Sequence, residues 1–272
     1  MKAERVFLLL AALAGLLWLA PFAWMAVASM RPDAPGQADL ASLWPSGPFG
    51  WDNYRDAWES GHFPLWYLNT ALLCVGILAV QMVTVSLAGY AFARIDFPGR
   101  STVFALFLLQ LLLPPAVLVV PNLQMIVHLG LFDSLAGIAA PYCASAFGVF
   151  LMRQTFRSIP RDFEEAARID GASRLQIMRH ILLPMAWPGL ASFAVVSVSA
   201  HWNEFLWPLM AVSSPQHQVL TVGLASFTLA SESGGSWGVI AAGTALVALP
   251  LLLGFTLLQR RFTASLASTG LK

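Results

Sequence analysis

Six long apolar stretches, separated by short polar segments, dominate the chain. Each is close to the roughly 20 residues that an α-helix needs to cross the hydrocarbon core of a bilayer. The fifth stretch contains a single acidic residue, Glu204. The pattern predicts an all-α protein with six membrane spans, near residues 6–30, 67–93, 101–128, 135–153, 185–212 and 237–259.

The composition also favours a membrane protein with several spans. Charged residues make up 11% of the chain, whereas a typical soluble domain has about 25%. The mean hydropathy is +0.70. A net charge of +1 gives no indication of nucleic-acid binding. The two cysteines, Cys74 and Cys143, lie in apolar stretches and form neither a disulfide framework nor a metal-binding pattern.

The basic residues determine the predicted orientation, because cytoplasmic loops of membrane proteins carry an excess of Lys and Arg. If both termini are cytoplasmic, 13 of the 15 basic residues lie on that side, and only Arg31 and Arg55 lie outside. The acidic residues show no such bias, with six inside, seven outside and Glu204 in a span. The sequence therefore predicts an N-in, C-in topology.

The N-terminal stretch has a second interpretation, because Lys2 and Arg5 precede an apolar run that ends near Ala26-Val27-Ala28, as in a secretory signal peptide. The apolar region of a signal peptide is typically about 7 to 15 residues long. The run here has 25 residues. We therefore expect an uncleaved first span.

Two longer segments are predicted to lie outside the membrane on the face opposite the termini. Residues 31–62 are rich in Pro, Gly and Trp, and they favour an irregular loop with one short amphipathic helix near Trp51 to Ser60. The stretch from Ser213 to Trp237 has no basic residue and is interpreted as a second outside loop.

Several polar residues fall within the apolar stretches. Ionisable residues inside a span are costly and usually face the protein interior or a water-filled path. In the fifth span, polar residues are predicted to share a helix stripe: Ser197, His201, Glu204 and Pro208. The predicted lining of a translocation path takes in both the second and fifth spans: Asn69, Gln81, Ser199, Asn203 and Glu204. The pair Pro114-Pro115 predicts a bend in the third span.

Two kinds of catalytic motif can be set aside. The segment from Gly234 to Gly238 fits the G-x-S-x-G pattern of a nucleophile elbow, but that elbow requires a strand-to-helix turn of an α/β sheet. The sequence contains no G-x-x-x-x-G-K-[ST] phosphate-binding loop, so the chain has no visible site for ATP. Energy for uphill transport would have to come from an ion or from another subunit.

Residues 154–184, which we call the coupling region, together with Arg153 hold 10 of the 29 charged residues. Ile159-Pro160 predicts the start of a helix of about 11 residues, because Pro is tolerated at the first helical position. Acidic residues follow in its first turns, where the helix dipole favours them, and Gly171 fits a left-handed stop. Ser173 and Gln176 predict a capping box for a second, amphipathic helix that Pro184 ends or kinks.

A family resemblance is carried by this same region. Glu165-Ala166-Ala167, three residues, Gly171, nine residues and Ile181-Leu182-Leu183-Pro184 reproduce the EAA signature of ABC importer permeases at every fixed position. Other segments resemble the permeases of maltose-type carbohydrate importers: Leu68-Asn69-Thr70, Ala91-Phe92-Ala93-Arg94, Phe97-Pro98-Gly99-Arg100, Ser158-Ile159-Pro160, Trp202 to Pro208, and Gln259-Arg260-Arg261-Phe262. The tail from Ser268 to Lys272 is similar to, but not the same as, the usual small-residue tail.

The resemblance implies the shorter, six-span permease of a type I importer in the bacterial inner membrane. The implied partners are membrane lipid, a second and different permease, two copies of an ATPase that binds ATP and Mg²⁺, and an extracytoplasmic sugar-binding protein. This chain itself would need no cofactor. The resemblance also implies an ATPase-coupling site and a loop that reaches the binding protein: Glu164, Glu165, Ala166, Ala167, Asp170 and Gly171 for the first, and Ser233, Gly234, Gly235 and Ser236 for the second.

Two other function classes remain to be compared with this one. An ion-coupled secondary carrier could use Glu204 and His201 as proton sites, although the sequence lacks the inverted repeats common in such carriers. A membrane-embedded hydrolase would need Ser236 as nucleophile, and the sequence offers it no evident base.

Overall fold

The computed structural model describes residues 2–31, 48–232 and 237–269, and these residues contain helices and turns but no β-strand. The α-helices follow one another along the chain: α1 (Lys2–Ser29), α2 (Asp52–Ser60), α3 (Phe63–Arg94), α4 (Arg100–Leu109), α5 (Val119–His128), α6 (Leu135–Ala139), α7 (Ala146–Ser158), α8 (Asp162–Ile169), α9 (Arg174–Ile177), α10 (Leu183–Trp202), α11 (Leu206–Ala211), α12 (Leu220–Glu232) and α13 (Trp237–Thr269).

Four helical stretches in the described part of the chain are long and apolar enough to cross a membrane: Val6–Ser29, Phe63–Arg94, Arg174–Trp202 and Trp237–Gly254. Two bent helix pairs account for the other two predicted spans, so the number reaches six if each pair is one span. Arg100–Leu112 and Pro115–His128 meet at an angle of 103°, and Leu135–Tyr142 and Ala146–Ser158 at 45°.

The larger bend lies where Pro114-Pro115 predicted it. Leu113 and Pro114 take extended backbone angles, with ψ of 125° and 131°, between two short 3₁₀ turns. Since proline has no N–H to continue a helical hydrogen-bond ladder, the helix stops and restarts here.

The chain divides into two compact units. The first, residues 1–64 and 220–254, is held by polar contacts around α2. Asn53 donates to the carbonyl oxygen atoms of Ser29, at 3.2 Å, and of Arg31. Phe63 packs edge-on against Phe227 with ring centroids 5.6 Å apart. The short helix predicted near Trp51 to Ser60 is confirmed as α2.

The second unit, residues 65–219 and 255–272, has its core where α3, α7 and α10 cross. Small residues let these helices approach closely, as is typical of helix packing in membranes. A Cβ atom at Gly89 of α3 would lie 2.6 Å from Met152 Cβ of α7. One at Gly148 of α7 would lie 2.6 Å from Phe193 of α10.

Two segments differ from their sequence-based predictions. Much of the stretch interpreted as a second outside loop is α12, whose apolar residues Val222 and Phe227 are buried. The second helix of the coupling region neither ends nor breaks at Pro184. It continues through one π-helical stretch, Met178–Leu182, in which Leu183 N donates to Met178 O five residues back, and then becomes α10.

Candidate coupling surface and translocation cavity

Residues close in sequence determine where helix α8 begins and ends, but the helix is shorter than predicted. Its first residue is Asp162 rather than Pro160, because Arg161 forms a turn whose carbonyl oxygen accepts from the backbone N–H groups of Glu164 and Glu165. The helix therefore has 8 residues instead of about 11. The predicted stop is confirmed, since Gly171 has a φ of +81°, which a side chain would strain.

The capping box of the next helix is also confirmed. Ser173 Oγ accepts from Gln176 N at 3.4 Å, and Gln176 Oε1 accepts from Ser173 N at 2.7 Å. This capping box fixes the start of α9 just after the turn at Gly171. A short, ordered turn therefore separates α8 from the long helix that begins with α9.

The faces of α8 divide the six predicted coupling residues into two groups. Glu164 and Ala167 are buried within the second unit, so they cannot meet a partner protein. The exposed members are Glu165, Ala166, Asp170 and Gly171. Three apolar side chains that were not among the predicted coupling residues are also exposed in this region: Phe163, Ile169 and Leu175. Ile169 is 87% exposed.

Glu164 forms a buried ion pair with Arg94, the last residue of α3. Glu164 Oε1 lies 2.7 Å from Arg94 Nε, and both side chains are 5% exposed. Among the described residues, neither atom has a hydrogen-bond partner of good geometry, so the contact is ionic. Arg168 approaches the other carboxylate oxygen of Glu164 at 3.7 Å. A polar recess of about 300 Å³ borders the pair and is lined by Tyr90, Arg161 and Arg174, among others.

A larger cavity of about 490 Å³ lies within the second unit. Polar side chains contribute to its otherwise apolar wall: Gln81, Gln110, Asn122, Tyr142, Ser145, Ser197, His201 and Glu204. The buried side chain of Gln81 organises one side of it. Its Nε2 donates to Tyr142 O at 2.7 Å and lies 3.4 Å from His201 Nε2, while its Oε1 accepts from Ser197 Oγ at 2.5 Å.

The structure brings two of the five predicted path residues, Gln81 and Glu204, to this cavity. The other three are not among its lining residues. Asn69 instead donates to Gln216 O and Gln218 O, at 2.8 Å each. Asn203 is exposed and donates to Ser199 O at 2.7 Å, which closes the end of α10.

The polar stripe predicted from Ser197 to Pro208 is interrupted. Helix α10 ends at Trp202, so Ser197 and His201 lie on one helix, while Pro208 lies on α11. Glu204 is between the helices, and its Oε1 accepts from Trp207 N at 3.4 Å near the start of α11. Ser197 and His201, which precede the end of α10, still line the same cavity as Glu204.

The residues predicted to contact a binding protein, Ser233, Gly234, Gly235 and Ser236, lie outside the described residues. Within residues 2–31, 48–232 and 237–269, no group of three or more His, Cys, Asp or Glu side chains could hold a metal ion.

Comparison with known proteins identifies the family to which the chain belongs. Residues 85–267 match the family described as binding-protein-dependent transport system inner membrane component. The chain belongs to this family. The matched residues include the end of α3, the coupling region and most of the cavity wall. This importer component of the inner membrane therefore has its ion pair, its exposed α8 face and its cavity within the part that defines the family.

Similar proteins include permease subunits for several solutes. The arabinooligosaccharides transport system permease protein AraQ of Halalkalibacterium halodurans is 33% identical over 79% of this chain and 76% of its own length. The diacetylchitobiose uptake system permease protein NgcG of Streptomyces coelicolor is 30% identical over 92% of this chain and 82% of its own. The sn-glycerol-3-phosphate permease protein UgpE of Pectobacterium atrosepticum is 33% identical over 80% of each chain.

The fold is that of a solved importer. A chain of the bacterial ABC transporter involved in the import of the acidic polysaccharide alginate superposes with a TM-score of 0.82, at 23% identity, over 96% of this chain and 98% of its own. The predicted all-α importer-permease fold is thus confirmed. Family membership favours a binding-protein-dependent importer over an ion-coupled carrier that uses His201 and Glu204.

Proposed function

We propose that the chain is the shorter permease subunit of an ATP-driven importer for a sugar or sugar-like solute. It would work with a second, different permease, two copies of an ATPase that binds ATP and Mg²⁺, and an extracytoplasmic sugar-binding protein. The names of the arabinooligosaccharide and diacetylchitobiose permeases support a sugar. The family description supports dependence on a binding protein. The chain itself performs no covalent chemistry.

The main structural support for this proposal is the exposed face of α8. Phe163 and Ile169 present apolar surface beside the small residue Ala166, on a helix whose opposite side is anchored by Glu164 and Ala167. An exposed apolar patch on a charged segment is typical of a docking site. We assign this face to the ATPase, with Glu165, Asp170 and Gly171 at its edge.

The cavity of about 490 Å³ supplies one wall of the path for the solute. Amide and hydroxyl groups such as those of Gln110, Asn122 and Ser145 can exchange hydrogen bonds with the hydroxyl groups of a sugar. Ser233 to Ser236 keep the role of reaching the binding protein, on the resemblance alone.

The docking assignment is tested by substitution at Ile169. Ile169→Asp places a charge on the apolar face and is expected to weaken binding of the ATPase at least tenfold, since central interface residues contribute on the order of 2 kcal/mol. Ile169→Met keeps the apolar surface and is the matched control. The measurement is copurification of the ATPase with the assembled permeases. Equal ATPase recovery with the two variants would contradict the assignment.

Uptake measurements distinguish the importer from the ion-coupled carrier. In vesicles containing the complete complex, uptake should require ATP and stop when the ATPase cannot hydrolyse it. Uptake that continues with the inactive ATPase, driven by a proton gradient, would favour the carrier. Screening sugars against the cognate binding protein by thermal shift would identify the solute.

A further inference from the structure

Arg94 lies where three structural elements meet. It is the last residue of α3, and its Nη2 donates to Phe156 O at 2.6 Å and to Ile159 O at 2.5 Å, at the end of α7. Its Nε faces Glu164 of α8 at 2.7 Å. One guanidinium group therefore contacts the C-terminal end of α3, the last turn of α7 and the buried face of α8.

We propose that Arg94 is the positioning residue that couples α8 to the membrane helices. Through it, a displacement of α8 is passed directly to α3 and α7, and α3 leads to Gln81 in the wall of the cavity. The inference rests on the proposed function, since it takes the ATPase to act on α8.

The geometry makes this contact hard to open. An ion buried without a counter-charge is strongly unfavourable, and the side chains of Arg94 and Glu164 are each 5% exposed. Arg168 also approaches Glu164, at 3.7 Å, but its side chain is 54% exposed. Phe156, Ile159 and Ala167 belong to the same buried cluster. Separation of α8 from α3 would leave both charges without their main partner. Separation of α3 from α7 would in turn remove the Arg94 donor from the carbonyl oxygen atoms of Phe156 and Ile159.

A neighbouring ion pair has the same chemistry without the same connections. Arg100 Nη1 lies 2.6 Å from Asp96 Oδ1, but the two residues are four apart in sequence, and Asp96 is 87% exposed. In the part of the chain that the structure describes, Arg100 otherwise donates to Ile95 O at 3.1 Å, so this pair joins only residues that are close in sequence. Arg100→Gln is therefore a matched control for Arg94→Gln.

The experiment uses the complete importer in lipid vesicles, with ATP hydrolysis and solute uptake measured together. For Arg94→Gln we expect the ATPase to copurify and to keep its basal hydrolysis, while uptake per ATP hydrolysed falls about tenfold, within the range usual for coupling between sites. Arg100→Gln should keep the wild-type ratio. A ratio for Arg94→Gln equal to that of Arg100→Gln would overturn the proposal.

A second variant covers the case in which Arg94→Gln does not assemble. Arg94→Cys and Glu164→Cys are introduced together after Cys74→Ala and Cys143→Ala, and the two thiols are joined by a short bifunctional reagent in the assembled complex. If the contact holds throughout the cycle, cross-linking should restore uptake per ATP relative to the unlinked protein. Cross-linking that stops uptake would show that α8 must leave α3, and the proposal would be wrong.

The proposed function and this inference fail in different ways. If the wild-type complex shows no ATP-dependent uptake, the proposed function is wrong. If the wild-type complex transports and Arg94→Gln matches the control, only the role of Arg94 is wrong.

Discussion

The two ends of α3 hold their neighbours by different means. Near its start, Asn69 is buried and gives both amide hydrogens to backbone carbonyls of the segment before α12. At its end, Arg94 uses a full charge to hold α8 and α7. The two residues are 25 positions apart, about 37 Å along a helix that rises 1.5 Å per residue.

The two ends of α3 differ in the free energy needed to break their contacts with neighbouring segments. A neutral hydrogen bond contributes about 0.5–1.5 kcal/mol net, so the two bonds that Asn69 donates can be broken at modest cost. A buried ion pair that loses one partner costs about 3–5 kcal/mol. The contact at Asn69 is therefore the easier of the two to break, and the Arg94 end suits a helix that moves together with α3.

The largest expected effect is at the charged end. Glu164→Ala leaves Arg94 buried without its counter-ion and should lower the stability of the second unit by about 3–5 kcal/mol. Glu165→Ala, at the exposed neighbouring position, should change it by less than about 0.5 kcal/mol. Thermal unfolding of the purified permease pair in detergent measures both. Similar melting temperatures for the two variants would show that the ion pair does not stabilise the fold.

A smaller effect is expected at the neutral end. Asn69→Leu removes two hydrogen bonds and leaves the carbonyls of Gln216 and Gln218 without this donor, at about 1–3 kcal/mol. Hydrogen exchange of residues 213–219 should accelerate, while that of α8 stays unchanged. Leu68→Ala, at an exposed position, is the control. Faster exchange at α8 as well would mean that the two ends are not independent.

Between the two ends, the spacing of α3 and α7 can be tested directly. Gly89→Ala places a Cβ 2.6 Å from Met152 Cβ and 3.1 Å from Arg153 N. Because backbone cannot move aside as a side chain end can, we expect about 1–3 kcal/mol of destabilisation. Gly76→Ala, where no atom lies within 4 Å of the new carbon, should be neutral or slightly stabilising in the same thermal unfolding assay. Equal loss from both would indicate that the helices are not in close contact.

The smallest expected effect appears only at acidic pH and concerns Asp133, which holds the same segment as Asn69. Its carboxylate accepts from Ser214 Oγ and, at 2.9 Å, from the backbone N–H groups of Ser214 and Ser213. These bonds hold the pKa of Asp133 well below its ordinary value of 3.8.

A carboxylate with a lowered pKa stabilises the folded state fully above its ordinary pKa, and the contribution is lost as the pH falls through the folded value. Proteolysis of residues 213–219 should therefore be constant from pH 7 to about 5 and increase below about pH 4. Asp133→Asn should remove this dependence. A wild-type rate that is flat down to about pH 2.5 would contradict the assignment.

Local chemistry made much of the coupling region predictable. The stop at Gly171 and the capping box of Ser173 and Gln176 depend on residues within a few positions of one another, so the sequence contains all the information needed. The bend at Pro114-Pro115 was predictable for the same reason, because it follows from the backbone N–H that proline lacks.

Long-range contacts were not predictable in this way. Arg94 and Glu164 are 70 residues apart, and no short pattern shows that they meet. The same holds for Asn69, whose polarity suggested a path but whose amide is used at Gln216 and Gln218. Helix α12 was missed because its small and hydroxyl residues resemble a loop when its buried neighbours are unknown. The burial of Glu164 could have been suspected from its spacing, because residues three apart, such as Glu164 and Ala167, lie on the same face of a helix.

The π-helical stretch at Met178–Leu182 has a consequence for which sequence changes the chain can tolerate. It holds one residue more than an α-helical turn, so it offsets the side chains of α10 from those of α9. Each residue of an α-helix turns the chain by about 100°. Deleting any one residue here would rotate Ser197 and His201 away from Gln81, even if every remaining side chain were kept. At this position the number of residues, more than their identity, sets which face of the helix lines the cavity.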